Sequence, residues 1–269
     1  MNTCFIKSVV YIDSLFMAIP AKTLDEVLME LDLIIDKSVD DNNFPGIFAF
    51  VYRRTTAQIK LAILDKQFED NDRMERMDVT FANLYLTAYQ NYTDNKSCSL
   101  SWLTAFNSKN DRITIMQHIV LGMNAHINMD LGIAAAEVAP GNELAALKND
   151  FMKVNDVLKS LVNEMQDRLS KVSRLMFLLD WIGQNSDEAI INFSMAKARE
   201  QAWNLAYLLS KLTEEEKIPV IKTADQTISA FGELIKNPPG RLLKLTTKLI
   251  AFFEEKDVKT IITQLRENE

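Results

Sequence analysis

Glycine and proline are scarce in this sequence, 7 and 6 residues among 269. A β-rich chain of that length needs more of both in its turns, so the shortage points to helices. Cysteine is nearly absent: Cys4 and Cys98 are the only two and share no spacing motif. That excludes a disulfide framework and makes a reducing cytoplasm the expected compartment. Positive charge is outnumbered, since 30 Lys and Arg against 37 Asp and Glu leave a formal net charge of −7. Neutralising phosphates needs an excess of cations, so no nucleic-acid partner is expected. No apolar run approaches the ~20 residues of a membrane-spanning helix. Ser8 to Pro20 is apolar and follows Lys7, as in a secretory signal, but Asp13 in its middle and the lack of a small-residue cleavage site argue against that reading. Also missing are a Gly-rich phosphate loop, a Gly-x-Ser-x-Gly elbow, a His-Glu-x-x-His motif and the Glu-x-x-His pair of di-iron bundles.

What is present is helical punctuation and helical periodicity. Thr23-Leu-Asp-Glu26 and Thr213-Glu-Glu-Glu216 have the form of capping boxes, and Pro45 suits a first helical position. Behind Thr23, Leu24, Val27, Leu28, Leu31, Ile34 and Ile35 recur at helical spacing. Gly46 to Phe68, Met77 to Tyr92, Asn142 to Trp181, Asp187 to Leu212 and Arg241 to Leu265 read as further helices, the last interrupted near Lys256-Asp257. The expected fold is all-α, a bundle-like single domain of about eight to ten helices around one central buried helix. Residues 1–237 form its helical domain, Pro238-Pro239-Gly240 a linker, and 241–269 a C-terminal helical appendage.

The central helix is expected over 111–138. It is apolar nearly all round, as a core helix is, yet it carries Gln117, His118, Asn124, His126, Asn128 and Asp130. Each costs roughly 1–3 kcal/mol if buried without a partner, so each needs one. At about 100° per residue, Gln117, Asn124 and Asn128 share one stripe. His118, His126, Asp130 and Glu137 share another, with Gly122 among them. Gly122 weakens the helix by about 1 kcal/mol relative to Ala and is expected to admit a neighbouring helix or a ligand.

His126 and Asp130, one turn apart, can share a metal ion, whereas His118 sits about 12 Å further along the axis. The candidate metal ligands are therefore His126 and Asp130, completed by carboxylates of other helices such as Glu75 or Asp78. The ion would be divalent: zinc, iron or manganese. His118, His126 and Asp130 are the candidate catalytic residues, with His118 as a base or hydrogen-bond partner. Gln117, Asn124 and Asn128, with Arg199 and Trp203 one turn apart on a later helix, are the candidate ligand-binding residues. A His-x3-Asp pair is equally a structural hydrogen bond that fixes a histidine tautomer. Tyr52, Arg53 and Arg54 pose the same choice between pocket and packing, with one arginine expected in solvent. Tyr85 and Tyr89 read as core packing with hydroxyls at the rim.

Gln117-His118-x-x-Leu121-Gly122-Met123-Asn124-Ala125-His126-Ile127-Asn128-x-Asp130-Leu131 resembles the central motif of a bacterial family of helical proteins of unknown function. Phe81-Ala-Asn-Leu-Tyr85-Leu-x-Ala-Tyr89, Trp102-x-x-Ala-Phe106 and Ala198-Arg199-x-x-Ala202-Trp203 fit the same resemblance, which covers about residues 45–210. It implies an all-helical fold and carries no activity with it.

Two functions remain open at this level. One is an enzyme, a hydrolase or oxidase with metal assistance, acting on a small apolar molecule at His118, His126 and Asp130. The other is a non-catalytic helical module that binds a ligand or a protein and uses its histidines structurally. Lys236 to Lys248 contains four basic residues and no acidic one, interleaved with leucines. Such a helix either docks on its own domain or lies on an anionic membrane surface.

Overall fold

A computed structural model describes residues 20–173 and 195–266. The apolar stretch from Ser8 and Cys4 lie outside the described residues, as does 174–194, where two of the expected helices have an end. Among the described residues there is no strand. Eleven α-helices run in the order α1 Leu24–Asp40, α2 Pro45–Leu64, α3 Asn71–Thr93, α4 Leu100–Asn107, α5 Ile115–Ala125, α6 Leu131–Val138, α7 Leu144–Val172, α8 Met195–Leu209, α9 Glu214–Lys236, α10 Arg241–Phe253 and α11 Val258–Arg266. A π-turn, His126–Asp130, joins α5 to α6 without a break, so the two form one rod of 24 residues from Ile115 to Val138. Counted with that rod as one helix, the described residues form ten.

Local chemistry explains most of the starts. Thr23 accepts from the Glu26 amide, Asp70 from Arg73 and Ser99 from Trp102. Glu26 itself reaches the Lys22 amide, a variation on the expected capping box. Thr213 and Glu216 form the full reciprocal box. The central rod starts at Thr114–Ile115, a few residues later than expected, because Thr114 and Gln117 make a capping box of their own.

Three of these starts are also capped from a distance. The buried Asp150 of α7 accepts from the Glu69 and Asp70 amides at 2.7 and 3.1 Å and from Arg73 at 3.0 Å. The buried Asp225 of α9 accepts from the Leu100 and Ser101 amides at 2.8 and 2.9 Å. Glu254, just after α10, accepts from the Ile115 amide at 2.8 Å. Each carboxylate meets the positive end of a helix dipole, which stabilises both partners.

The rod lies at the centre. α2, α4 and α9 pack along its α5 half, and α3 and α8 along its α6 half. By length and composition it is apolar enough to cross a membrane, which the sequence reading did not anticipate, but it is mostly buried inside the bundle. Small residues set its spacing. A Cβ on Gly122 would come within 2.4 Å of the Phe48 ring of α2, so the expected close approach is made by a side chain from a neighbouring helix. A Cβ on Gly132 would meet the Ala202 carbonyl of α8 at 2.8 Å, where Ala198, Ala202 and Ala206 complete a close helix–helix contact. The last helix is part of the same core: Val258, Ile261, Ile262 and Leu265 are buried, and α11 packs on α1, α2 and α7.

Gly122→Ala is expected to lower stability. The gain in helix propensity of about 1 kcal/mol is outweighed by overpacking against Phe48, which costs about 1–3 kcal/mol. Chemical denaturation measures it, and an alanine variant more stable than the parent would refute the packing argument.

Candidate functional site

The two polar stripes of the rod meet different neighbours. Gln117 accepts from the Thr114 amide at 2.9 Å and donates to the Ile235 carbonyl at 2.7 Å. Asn124 donates to the Ile228 carbonyl at 2.9 Å, and its Oδ1 accepts from Asn128 at 2.9 Å. Gln117 and Asn124 thus bind the rod to α9 through backbone carbonyls. Their polar atoms meet protein groups, as buried amides must.

His118 and His126 have separate surroundings. The Ser108 hydroxyl donates to the Ala105 carbonyl at 2.6 Å, so its oxygen accepts from His118 Nδ1 at 3.2 Å. The Phe44 ring stacks on His118 at 4.6 Å between centroids. Burial pushes the His118 pKa down to about 4; Asp111 opposes the shift and Lys236 adds to it.

His126 is 2 % exposed and lies among aromatic rings from three helices. Phe81 stacks flat on it at 3.6 Å and Tyr52 meets it edge-on at 4.4 Å, with Phe48, Tyr85 and Trp102 each at 5.9 Å or closer. Its Nδ1 lies 3.0 Å from Asp130 Oδ2. The same oxygen accepts from the Trp102 indole N–H at 2.9 Å. An indole can only donate, so Asp130 Oδ2 is an acceptor, and the pattern that satisfies all three groups has His126 protonated on Nδ1. His126 Nε2 then presents a lone pair, and it is buried with no partner among the described residues. Burial holds the imidazole well below its usual pKa and the Asp130 carboxyl well above its own, the latter opposed by the Trp102 hydrogen bond.

Two of the surrounding rings, Tyr52 and Tyr85, carry buried hydroxyls, and Asp78 lies near enough to Tyr52 for its charge to act on the phenol. The Tyr85 hydroxyl and Asp78 Oδ2 have no hydrogen-bond partner among the described residues, while the Thr56 hydroxyl, one turn on, lies near enough to act on the buried Tyr52 hydroxyl. Burial pushes both phenols well above their ordinary pKa, and at Tyr52 the nearby Asp78 charge adds to the shift. Asp78 as a residue is half-buried, but its Oδ2 is shut off from solvent, and this raises the carboxyl to about 7 against the pull of Arg199. Phe81, beside it on α3, is half-buried too, so the cluster comes nearest the surface along this helix.

Arg199 and Trp203 converge on Phe151 of α7. The guanidinium lies 4.5 Å from the Phe151 ring centre and donates to the Phe151 carbonyl, and the indole packs on the same ring at 5.0 Å. Arg199 reaches the cluster only through its charge on Asp78. Arg53 pairs with Asp32 and Arg54 with Glu164, and Glu137 lies exposed. His126 and Asp130, expected to share a metal, are bonded to each other. Among the described residues no three His, Cys, Asp or Glu side chains gather as metal ligands. The spacing of Tyr85 with Tyr89 marked those rings as helical packing, but nothing in the sequence linked them, or Phe48, Phe81 and Trp102, to His126. That link is tertiary.

A family model, described as a family of unknown function, matches residues 24–238. That span includes the whole cluster and excludes α10 and α11. Neither the curated proteins nor the solved structures contain a match to the chain.

The buried histidines make stability depend on acid in a defined direction. In the unfolded chain a histidine binds its proton near pH ~6.5, and in the folded chain His118 does so only near about 4. The unfolded state therefore binds more protons between those values, so stability is full above the window and lost as pH falls through it. His118→Gln is expected to flatten the decline in melting temperature across that interval. An unchanged slope would show that His118 does not contribute.

Proposed function

Since this chain belongs to DUF5995, a family of unknown function, membership supplies no chemistry, and we propose from the geometry alone that it binds a small aromatic or cyclic apolar molecule carrying a hydroxyl group at His126. The observation that supports this is a pair of unsatisfied polar atoms inside an aromatic shell, His126 Nε2 and the Tyr85 hydroxyl, with the unsatisfied Asp78 Oδ2 near Tyr52 of that shell. Each such atom costs roughly 1–3 kcal/mol when left alone, and proteins retain such costs at functional sites more often than in plain cores. A ligand hydroxyl would donate to Nε2, and the surrounding rings would hold its apolar body. Asp130 and Trp102 orient the imidazole and leave the Nε2 lone pair free to accept a proton from a ligand hydroxyl, while burial lowers its basicity. In this reading His126 is the candidate catalytic base, Asp130 and Trp102 position it, and His118, Gln117, Asn124 and Asn128 hold the rod. A metal-assisted hydrolase or oxidase would have to use Nε2, because Nδ1 and the facing carboxylate oxygen already bind each other.

One observation favours a structural role instead. Phe81 and Tyr52 lie so close to His126 that the rings pack as a core does. Tyr85→Phe separates the two, since it deletes one unsatisfied hydroxyl and leaves the ring. In both readings the variant gains about 1 kcal/mol of stability. Only a binding site also loses at least tenfold in affinity for small phenols and aromatic alcohols, read as ligand-induced shifts in melting temperature. A panel in which no phenol or aromatic alcohol stabilises the wild type would reject the proposal.

Elemental analysis of the purified protein beside His126→Ala tests the metal. On the geometry given, neither sample is expected to hold one in stoichiometric amount. A metal present in the wild type and lost from a folded variant would replace the hydroxyl-ligand reading with a metalloenzyme.

A further inference from the structure

α10 turns Leu243, Thr246, Thr247, Ile250 and Ala251 inward. Its other face carries Leu242, Leu245, Leu249, Phe252 and Phe253, all exposed, Leu245 at 68 % and Phe252 at 69 %. At 100° per residue these five side chains occupy an arc of about 100°. The neighbouring arc, about 60° wide, carries Arg241, Lys244 and Lys248, all exposed. A solvent-facing row of leucines and phenylalanines costs solubility unless something covers it. The charge beside it selects the cover. In a chain of net charge −7, the stretch from Lys236 to Phe253 holds Arg241, Lys244 and Lys248 with no acidic residue among them, and Lys236 itself is paired with Asp111 and Glu233. A second copy of the same face would bring the same positive rim, whereas a lipid surface bearing anionic headgroups brings the complementary sign. The helix also lies beyond residue 238, where the family match ends, so it is not accounted for by what the family shares.

We propose that α10 is an in-plane membrane anchor: its Leu/Phe row enters the headgroup–acyl boundary of an anionic bilayer, and Arg241, Lys244 and Lys248 rest on the lipid phosphates. An amphipathic helix with an apolar face and a basic flank lies in an interface in this way. Its attraction depends on surface charge and falls with salt within a Debye length. The anchor is independent of the His126 site, so either assignment can fail alone.

Flotation of the full chain with vesicles tests it. Wild type is expected to float with vesicles of equal parts phosphatidylcholine and phosphatidylglycerol, to release in high salt, and to stay behind with phosphatidylcholine alone. Leu245→Asp with Phe252→Asp alters only exposed positions, so helix content by circular dichroism should hold while flotation is lost. Lys244→Gln with Lys248→Gln should weaken binding about 25-fold, at about fivefold per basic residue. Failure of the wild type to float with the anionic vesicles would overturn the proposal. So would flotation that survives the aspartates. A wild-type dimer that the aspartates convert to monomer in sedimentation would assign the face to a second copy of this chain instead.

Discussion

Asp130 Oδ2 accepts two hydrogen bonds in a place where water does not reach, from the Trp102 indole of α4 and from His126 one turn away. A carboxylate so placed is costly unless its partners are fixed, and once they are fixed it ties three things together. α4 is held to the central rod, the imidazole is set in one tautomer, and the five rings around His126 pack against a ring that cannot turn. The π-turn over His126–Asp130 lies in the same residues. Such turns widen a helix locally and are found most often at functional sites.

The same economy recurs around the bundle. Carboxylates of α7 and α9 and the one after α10 reach further amides at the starts of α3, α4 and the rod, which their local caps leave free. Amides at a helix start need acceptors, and a buried carboxylate needs donors, so each contact satisfies two requirements at once. Gln117 and Asn124 do likewise with carbonyls of α9. Like His126 Nε2, His118 Nε2 and Asn128 Oδ1 are buried without a partner among the described residues, but only around His126 do such atoms sit among five aromatic rings, and that contrast is why the site is placed there and not at His118.

Much of the scaffold was legible in the chain. Thr23, Pro45 and Thr213 mark helix starts by local chemistry, and the break between α10 and α11 falls beside Lys256-Asp257 where the pattern is interrupted. The rod starts later than position 111 because Gln117, a site candidate by residue type, is the capping partner of Thr114. The pairing of His126 with Asp130 was legible as one of two alternatives, since i and i+4 side chains meet on any helix. The convergence of Arg199 and Trp203 was legible as well, but not Phe151 of α7 as its target.

By itself the sequence determined the helices, the central rod and its two polar stripes, because capping, periodicity and i, i+4 neighbourhood act over a few residues. Only the tertiary structure decided which stripe is bound to α9 and which faces the aromatic rings, and that α10 leaves a leucine-rich face open. Those outcomes depend on which helix lies across from which, a matter of packing between residues as distant in the chain as Phe48 and His126. No local rule contains that information.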